Sequence, residues 1–488
     1  QRGIALADVP SADPPLFPVP LREMARKAGS PIFANVAGAG AILHVLGIPT
    51  ESADPVLAAD FKGEVFEKNR KALLLGAGWA KEHLSGKIAE RFRLPPRAPA
   101  PRIVLSGNEA LALGAIAGGC KFAAGYPMTP GTGILSCLAN DGPSVGLVFE
   151  QAEDEIAALN MAIGASYAGA RSLVATSGGG FALMVEALSL AGMMEIPVVV
   201  AVAMRPGPAT GMPTRTAQGD LQFVLSAGHG EFPRLVLTPG SPEEAFDLAQ
   251  RAMALAEEFQ VPAVLLTDQY LADTIVDIDP AALAVRPGKR HIVRGSDVPR
   301  TPEGKYLRYA FTEDGISPMA VPGEPGITVV ADSDEHTEDG HITEDHATRI
   351  RMVEKRLRKG TGLAARTVPP LFAGPPKGDL LLIGFGSTKG VIEETRRILA
   401  AEEKHVATVH LRQVWPFPAE AIGEIVSRFG TVLTVENNAT GQLARLIRSE
   451  SGARIDGTIS RDDGLPFTPG RLASEARRRG WGNRSIPV

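Results

Sequence analysis

Residues 171–204 read RSLVATSGGGFALMVEALSLAGMMEIPVVVAVAM, and this stretch decides the predicted fold. RSLVATS indicates a short strand, GGGFALMVEALSLAGMM indicates a helix, and IPVVVAVAM indicates a second strand that contains no polar residue. A strand that is apolar at every position is typical of a parallel sheet whose two faces are both covered. The stretch therefore predicts a strand, helix and strand unit of an α/β protein.

The same alternation continues on both sides of this unit. Helices are predicted in GNEALALGAIAGGCKF, in the run after VFEQAEDE and in SPEEAFDLAQRAMALAEEF, and strands in GLVFE and PAVLLTDQ. Further along, GDLLLIGFGSTKG predicts a strand, a Gly-rich turn and a helix, and HVATVHL and TVLTVEN predict more strands. We therefore predict a multidomain α/β fold with doubly wound parallel sheets.

Length and composition divide the chain into predicted regions, because 488 residues are too many for a single hydrophobic core. The stretch ERFRLPPRAPAPRI, with its four prolines, predicts an extended linker over residues 91–101. Before it, residues 1–90 form a first region, in which PIFANVAGAGAILHVLGIP is interpreted as a strand, a Gly turn and a helix. Residues 102–279 are the predicted central α/β domain, and residues 378–488 are the last domain. Between them, residues 280–377 are an irregular insert, interpreted as a solvated acidic loop followed by a basic helix.

Composition excludes several classes of function. The net charge of −5 gives no basic surface for nucleic acid or anionic lipid. No apolar run reaches the roughly 20 residues needed to span a bilayer, and the N-terminal sequence lacks a signal-peptide pattern. We therefore expect a cytoplasmic protein. The chain has only two cysteines, too few to hold an iron–sulfur cluster, so a redox centre would have to come from a partner.

The predicted site lies at the carboxyl ends of the parallel strands, where α/β sheets bind ligands. Four predicted loops reach that edge: GYPMTP, VFEQAEDE, TSGGG and MRPGPATGMPTRT. Their side chains are therefore the candidates for chemistry.

Glu155 is the candidate catalytic acid. It precedes Ile156, Leu159 and Ile163 at spacings of one, four and eight, which places it close to the apolar stripe of its helix. Burial disfavours the charged form of a carboxyl, so Glu155 would hold or share a proton near neutrality. Thiamine diphosphate enzymes need such a carboxyl against the aminopyrimidine ring of the cofactor. A capping or surface role at the helix start is the alternative.

Three further residues are candidates for binding an anionic substrate. The prolines of GYPMTPGTG make a stiff loop, on which the hydroxyl of Thr129 suits a carboxylate; a structural turn is the alternative. Arg205 directly follows an apolar strand, and Arg215 lies in the Gly/Pro-rich loop after it. Two guanidinium groups suit a dianionic substrate. For Arg215, a surface pair with Asp220 is the alternative.

Several ordered motifs together carry a resemblance to a known family: YPMTP, EQAEDEIAALNMAIGASYAGAR, TSGGGFALMVEALSLAG, RPGPATGMPTRTAQGDL, GHGEFPR and VLLTDQYLADT. With them the chain resembles the alpha subunit of the 2-oxoacid:ferredoxin oxidoreductases. More narrowly it resembles the 2-oxoglutarate type, in which a gamma-like domain is fused ahead of the alpha part. The resemblance covers essentially the whole chain.

The resemblance implies roles for particular residues. Residues 102–279 would be the pyrimidine-binding half of a thiamine diphosphate site, and residues 378–488 a transketolase C-terminal-like domain. Glu155 would activate the cofactor, with cofactor contacts from Tyr126, Pro127 and Met128. The 2-oxo acid would be held by Thr129, Arg205 and, less directly, Arg215.

The resemblance also implies partners. The family's gamma domain is longer than residues 1–90, so only its C-terminal part is expected here, which leaves the coenzyme A contacts of this chain open. The chain lacks the GDG and Asn motif that carries magnesium and the diphosphate. A beta subunit would therefore bring diphosphate binding, Mg²⁺ and a [4Fe–4S] cluster, in a dimer of alpha–beta heterodimers that passes electrons to ferredoxin.

The function implied is oxidative decarboxylation of 2-oxoglutarate to succinyl-CoA, or the reverse carboxylation, with coenzyme A as co-substrate. One alternative is a pyruvate or broad-range 2-oxoacid enzyme. Another is a non-catalytic subunit that binds coenzyme A or a nucleotide.

Overall fold

The computed structural model describes residues 17–84, 86, 91–95, 100–286 and 288–481. The chain divides into two compact units, Gln1–Ala100 and Pro101–Val488, and the division falls within the predicted linker. Residues 1–16 of the predicted first region and residues 96–99 of the predicted linker lie outside the described residues.

The first unit is helical where it is described. Its helices are α1 (Leu21–Ala28), α2 (Ala34–Leu46), α3 (Asp54–Asp60) and α4 (Gly63–His83).

The strand and Gly turn predicted in PIFANVAGAGAILHVLGIP are wrong, because these residues form a short 3₁₀ turn followed by α2. The glycines serve helix packing instead. A Cβ atom on Gly40 would overlap the carbonyl oxygen of Leu73, and one on Gly76 would overlap that of Ala37. The backbones of α2 and α4 are therefore in direct contact.

We predict that Gly76→Ala separates α2 from α4 and destabilises this unit by about 3 kcal/mol, since the added methyl group meets rigid backbone. Gly78→Ala is the matched control on the same helix, because a Cβ there has no atom within 4 Å. The control gains about 1 kcal/mol of helix propensity. Hydrogen exchange of the α2 and α4 amides measures both effects, and equal protection in the two variants would contradict the prediction.

The second unit contains the strands β1 (Ile103–Ser106), β2 (Cys120–Gly125), β3 (Val148–Gln151), β4 (Arg171–Thr176), β5 (Val198–Met204), β6 (Leu235–Leu237), β7 (Pro262–Asp268), β8 (Ile275–Ile278), β9 (Leu371–Ala373), β10 (Gly378–Phe385), β11 (Val406–Leu411), β12 (Gln413–Trp415), β13 (Phe429–Glu436) and β14 (Gly457–Ser460). Its helices are α5 (Gly107–Ala117), α6 (Thr132–Asp141), α7 (Glu155–Tyr167), α8 (Gly178–Met193), α9 (Leu221–Ser226), α10 (Pro242–Phe259), α11 (Gln269–Asp273), α12 (His346–Ala364), α13 (Thr388–Ala400), α14 (Ala419–Val426), α15 (Gln442–Ser451) and α16 (Pro469–Gly480).

Two largely parallel sheets organise this unit. The larger has the strand order β12-β6-β7-β5-β4-β2-β3, in which β2 to β7 are parallel and β12 is antiparallel. All residues of β4, β5 and β7 are buried, as expected for strands with both faces covered. The quoted stretch 171–204 forms β4, α8 and β5, as predicted.

The second sheet has the order β14-β13-β10-β11-β9, with β9 antiparallel to its neighbour, and β1 pairs with β8 in a small antiparallel sheet. The second sheet is built from the predicted last domain, yet β12 from that region joins the larger sheet beside β6. One hydrophobic core contains both Val202 of β5 and Ile383 of β10. The two sheets therefore pack against a common hydrophobic core.

The basic helix predicted in the insert at 280–377 forms as α12, but its basic residues are not all solvated. Lys355 and Lys359 of α12 are 1% exposed, and their ammonium groups lie 2.7 and 2.6 Å from the carboxylate of Glu195. Burial alone would raise the pKa of Glu195, but the two ammonium groups lower it well below its usual range. These buried ion pairs fix α12 against the end of α8. Within the described ranges, no helix combines the length and apolar composition that a bilayer crossing requires.

Candidate active site

The four predicted loops meet at one edge of the larger sheet. Strands β5, β4, β2 and β3 are adjacent and parallel, so the loops after them leave the sheet side by side. The chain runs from β2 to β3 on one side and then to β4 on the other. The crevice between β2 and β4 is therefore the topological switch point, where α/β sheets bind ligands.

Glu155 is the first residue of α7 and is 3% exposed. The helix is capped by Asp154, whose side chain accepts a hydrogen bond of 2.7 Å from the Ala157 N–H. The alternative of a capping or surface role for Glu155 is therefore wrong. Its Oε1 atom is buried and has no hydrogen-bond partner among the described residues.

The Gly-rich turn at the start of α8 forms the wall beside this carboxyl group. A Cβ atom on Gly180 would lie 2.6 Å from Oε1 of Glu155 and would overlap the hydroxyl of Thr176. A Cβ on Gly179 would meet its nearest neighbours only at 3.8 and 4.0 Å. The glycines thus place no side chain of their own beside the carboxyl.

This geometry fits the aminopyrimidine of thiamine diphosphate. A buried carboxyl oxygen without a partner costs free energy, which a ligand recovers by forming the missing hydrogen bond. A carboxyl group in this position could form that hydrogen bond with a ring nitrogen of the aminopyrimidine. Glu155 is the residue that would hold the cofactor in this way.

The YPMTP loop, which follows β2, lies beside the Gly-rich turn. The Met128 Sδ atom is 4.0 Å from where a Cβ on Gly179 would be. Tyr126 and Pro127 are exposed at the surface of the chain, and Met128 is half-buried. Of the three predicted cofactor contacts, Met128 is therefore the one that lies beside the Gly-rich turn.

Arg205 and Thr129, both predicted to bind substrate, are brought together. Nη1 of Arg205 donates a hydrogen bond of 2.7 Å to the backbone carbonyl of Thr129. This bond spans β4, because Arg205 follows β5 and Thr129 lies after β2. A guanidinium has five N–H donors, so others remain for a ligand.

Arg215 is exposed and has no hydrogen bond to Arg205 or Thr129 among the described residues. Its Nη1 atom is 3.5 Å from the carbonyl of the neighbouring Thr214, and its side-chain stem packs beside Gly464. No ion pair joins Arg215 to Asp220 in the described part of the chain, so the alternative of a surface pair is wrong. The physical reason is that the carboxyl group of Asp220 lies elsewhere, against Gly178.

Comparisons with known proteins agree with this geometry. Family models described as "Pyruvate ferredoxin/flavodoxin oxidoreductase", "Pyruvate flavodoxin/ferredoxin oxidoreductase, thiamine diP-bdg" and "Pyruvate:ferredoxin oxidoreductase core domain II" match residues 2–79, 113–355 and 378–465. The 2-oxoacid:ferredoxin oxidoreductase 2, subunit alpha, of Aeropyrum pernix is 35% identical over 94% of this chain and 75% of that relative. The chain belongs to the alpha subunits of the 2-oxoacid:ferredoxin oxidoreductases.

Two further relatives are named for 2-oxoglutarate. The 2-oxoglutarate oxidoreductase subunit KorA of Mycobacterium tuberculosis is 33% identical, over 91% of this chain and 67% of that relative. A solved structure of 2-oxoglutarate:ferredoxin oxidoreductase from Magnetococcus marinus, with 2-oxoglutarate, coenzyme A and succinyl-CoA bound, is 33% identical and has a TM-score of 0.87. The match covers 95% of this chain and 80% of the Magnetococcus marinus chain.

Family membership confirms the predicted fold class and shows that this alpha subunit is part of an enzyme. Its central domain is of the thiamine diphosphate-binding type. The alternative of a non-catalytic binding subunit is wrong, because the family consists of oxidoreductases.

Asp220 has a largely buried carboxyl group, which the sequence does not indicate. A Cβ atom on Gly178 would lie 2.8 Å from its Cγ, so the carboxyl lies at the N-terminal turn of α8. Burial raises the pKa of Asp220 to about 6, and its side chain has no hydrogen bond or ion pair among the described residues. The sequence indicates it only as a partner for Arg215, because a short Gly-containing loop gives no sign of burial.

We predict that Asp220→Asn stabilises the alpha subunit at neutral pH. Folding raises the pKa of Asp220 from 3.8 to about 6, so the folded state favours the protonated carboxyl group. The stability that this protonated form contributes is fully present below pH 3.8 and is lost as the pH rises through 6. Asparagine carries no charge, so the variant gains up to about 3 kcal/mol above pH 6.

Melting temperatures of both proteins between pH 5 and 8 check this. The difference should widen up to about pH 6 to 7 and then stay constant. A constant difference over the whole range would show that Asp220 does not titrate there.

Proposed function

We propose that this chain is the alpha subunit, with part of a fused gamma domain, of a 2-oxoglutarate:ferredoxin oxidoreductase. The reaction converts 2-oxoglutarate and coenzyme A to succinyl-CoA and CO2 while two electrons pass to ferredoxin, or it runs in reverse. The observation that carries the proposal is the buried Oε1 of Glu155, unpartnered among the described residues, against the Gly-rich turn. The two 2-oxoglutarate relatives support the choice of substrate.

Glu155 is proposed as the catalytic acid. Bound thiamine diphosphate would supply the carbon nucleophile and the electron sink that loss of CO2 from a 2-oxo acid requires. The role of Glu155 is to hold a proton at Oε1 in contact with the aminopyrimidine. Tyr126, Pro127 and Met128 would line the rim beside it, and their bulk would exclude water from that edge.

Arg205, Thr129 and Arg215 are proposed to bind the substrate. Arg205 and the Thr129 hydroxyl would hold the carboxylate next to the keto group, because the hydrogen bond between the two residues already fixes both at the crevice. Arg215 would bind the distal carboxylate, which pyruvate lacks. Its guanidinium is exposed, as an approach of the second charge requires.

The remaining parts of the enzyme are proposed to come from a beta subunit. The chain has two cysteines, both buried, and the described residues contain no group of three or more metal-ligating side chains. Mg²⁺, the diphosphate contacts and the [4Fe–4S] cluster would therefore lie on the beta subunit, in a dimer of heterodimers. With ferredoxin as electron acceptor, we expect the assembly in the cytoplasm. We propose domains at 1–90, 102–279 and 378–488; the family models match residues 2–79, 113–355 and 378–465, so the thiamine diphosphate-binding match extends beyond residue 279 into the insert.

We predict that Glu155→Gln lowers kcat at least about 100-fold, because glutamine matches the shape of the acid but cannot transfer its proton. The assay is 2-oxoglutarate-dependent viologen reduction by alpha and beta subunits mixed with coenzyme A. Glu153→Gln is the matched control, since Glu153 lies two residues away and is exposed. Near wild-type turnover of Glu155→Gln would remove Glu155 from its proposed role.

We predict that Arg215→Ala lowers kcat/KM for 2-oxoglutarate about 100-fold and for pyruvate less than about threefold. The loss of one charge-assisted contact to the substrate carboxylate costs about 2–3 kcal/mol. Arg205→Ala should lower kcat/KM for both substrates. Equal effects of Arg215→Ala on both would exclude the distal carboxylate as its ligand, and a wild-type preference for pyruvate would favour the pyruvate or broad-range alternative.

A further inference from the structure

Gln218 is fully buried, and all its polar groups are hydrogen-bonded to other parts of the second unit. Its backbone N–H donates to the carbonyl of Asn437 at 2.7 Å, and its side-chain oxygen accepts from the Asn437 N–H at 3.1 Å. Its side-chain amide donates to the carbonyl of Phe385 at 2.8 Å, and its own carbonyl accepts from the Asn438 side chain at 3.2 Å. One residue of the loop after β5 is thus bound at every polar atom.

These partners lie at the switch point of the second sheet. Phe385 ends β10 and Asn437 follows β13, and these two strands are neighbours. The chain runs from β10 to β11 on one side and reaches β13 on the other. Such a crevice normally receives a ligand. Here it receives Gln218 of the loop that carries Arg215 and Asp220.

Further bonds attach the same loop at both sides. The Thr216 N–H donates to the carbonyl of Gly464 at 3.1 Å, and its hydroxyl lies 3.4 Å from Oδ1 of the fully buried Asp268, which ends β7. The side chain of Gln442, on α15, donates to the carbonyl of Gly219 at 2.7 Å and accepts from the Gln222 N–H at 2.9 Å. The segment 216–222 is therefore fixed between the two sheets, although the preceding residues 205–215 are mostly exposed.

We propose that Gln218 is a positioning residue for substrate binding, and that the second sheet serves as the platform that holds the loop of Arg215 in place. Arg215 is three residues before Gln218, and no described contact other than that with Thr214 holds its guanidinium. The position of its backbone therefore determines where the charge lies. This proposal rests on the proposed role of Arg215.

The test is Gln218→Ala in the assembled enzyme, with KM for 2-oxoglutarate and kcat measured separately. We expect KM to rise about tenfold and kcat to change less than about threefold, because the hydrogen bonds of Gln218 go to Phe385, Asn437 and Asn438 and none reaches Glu155. Gln250→Ala is the matched control. Gln250 is also a buried glutamine, which hydrogen-bonds to Ala284 and Arg286 outside this loop, so its loss should lower the melting temperature and leave KM unchanged.

A double-mutant cycle with Arg215→Ala separates positioning from general damage. If Gln218 acts through Arg215, Gln218→Ala raises KM in the wild-type background and has no further effect in the Arg215→Ala background. A full additional rise in that background overturns the proposal. An Arg215→Ala variant with wild-type KM would instead refute the proposed function of Arg215.

Gln442→Ala keeps the proposal testable if Gln218→Ala does not fold. Gln442 is only partly buried, so its two hydrogen bonds to the loop are lost without opening the core. We expect a rise in KM of about threefold that disappears in the Arg215→Ala background. An unchanged KM in Gln442→Ala would overturn the platform role.

Discussion

The contact between the Glu155 carboxyl group and the Gly-rich turn at the start of α8 is the constraint on which the rest of the structure depends. It requires Glu155 to begin α7, Gly180 to lack a side chain, and β2, β3 and β4 to be parallel neighbours so that the loops converge. Asp154 completes the arrangement, because it caps the start of α7 and leaves Oε1 of Glu155 without a hydrogen-bond partner among the described residues. If one acid both capped the helix and contacted a ligand, backbone N–H groups would occupy the oxygens that the ligand needs.

Much of the central domain was predictable because its strands are buried on both faces. Strands β5 and β7 contain almost only apolar residues, and in a chain of alternating helices and strands this pattern is specific to the middle of a covered parallel sheet. The candidate site was placed by the rule that loops at the carboxyl edge of a parallel sheet carry ligands, and its residue roles remain proposals. The burial of Glu155 was predicted from its spacing to Ile156, Leu159 and Ile163; Leu159 and Ile163 are buried, whereas Ile156 is exposed.

What sequence could not supply depends on contacts between distant segments. The glycines of α2 look like turn residues until the backbone of α4 lies against them. Lys355 and Lys359 look like a solvated helix face, because nothing in the local sequence indicates that Glu195, some 160 residues earlier, will be buried with them. Burying such charges is costly unless they are paired, so only the folded arrangement reveals their role. Asp220 and Gln218 were missed for the same reason.

Strand β12 covers the edge of the larger sheet beside β6, although it comes from the predicted last domain and not from the central domain. Without Gln413–Trp415, the hydrogen-bonding groups on the outer side of β6 would be left open, and unprotected sheet edges recruit other chains. The two α/β halves are therefore not interchangeable modules. Recombination between family members at residue 377 would have to preserve complementary edge strands, so the halves are expected to be inherited together.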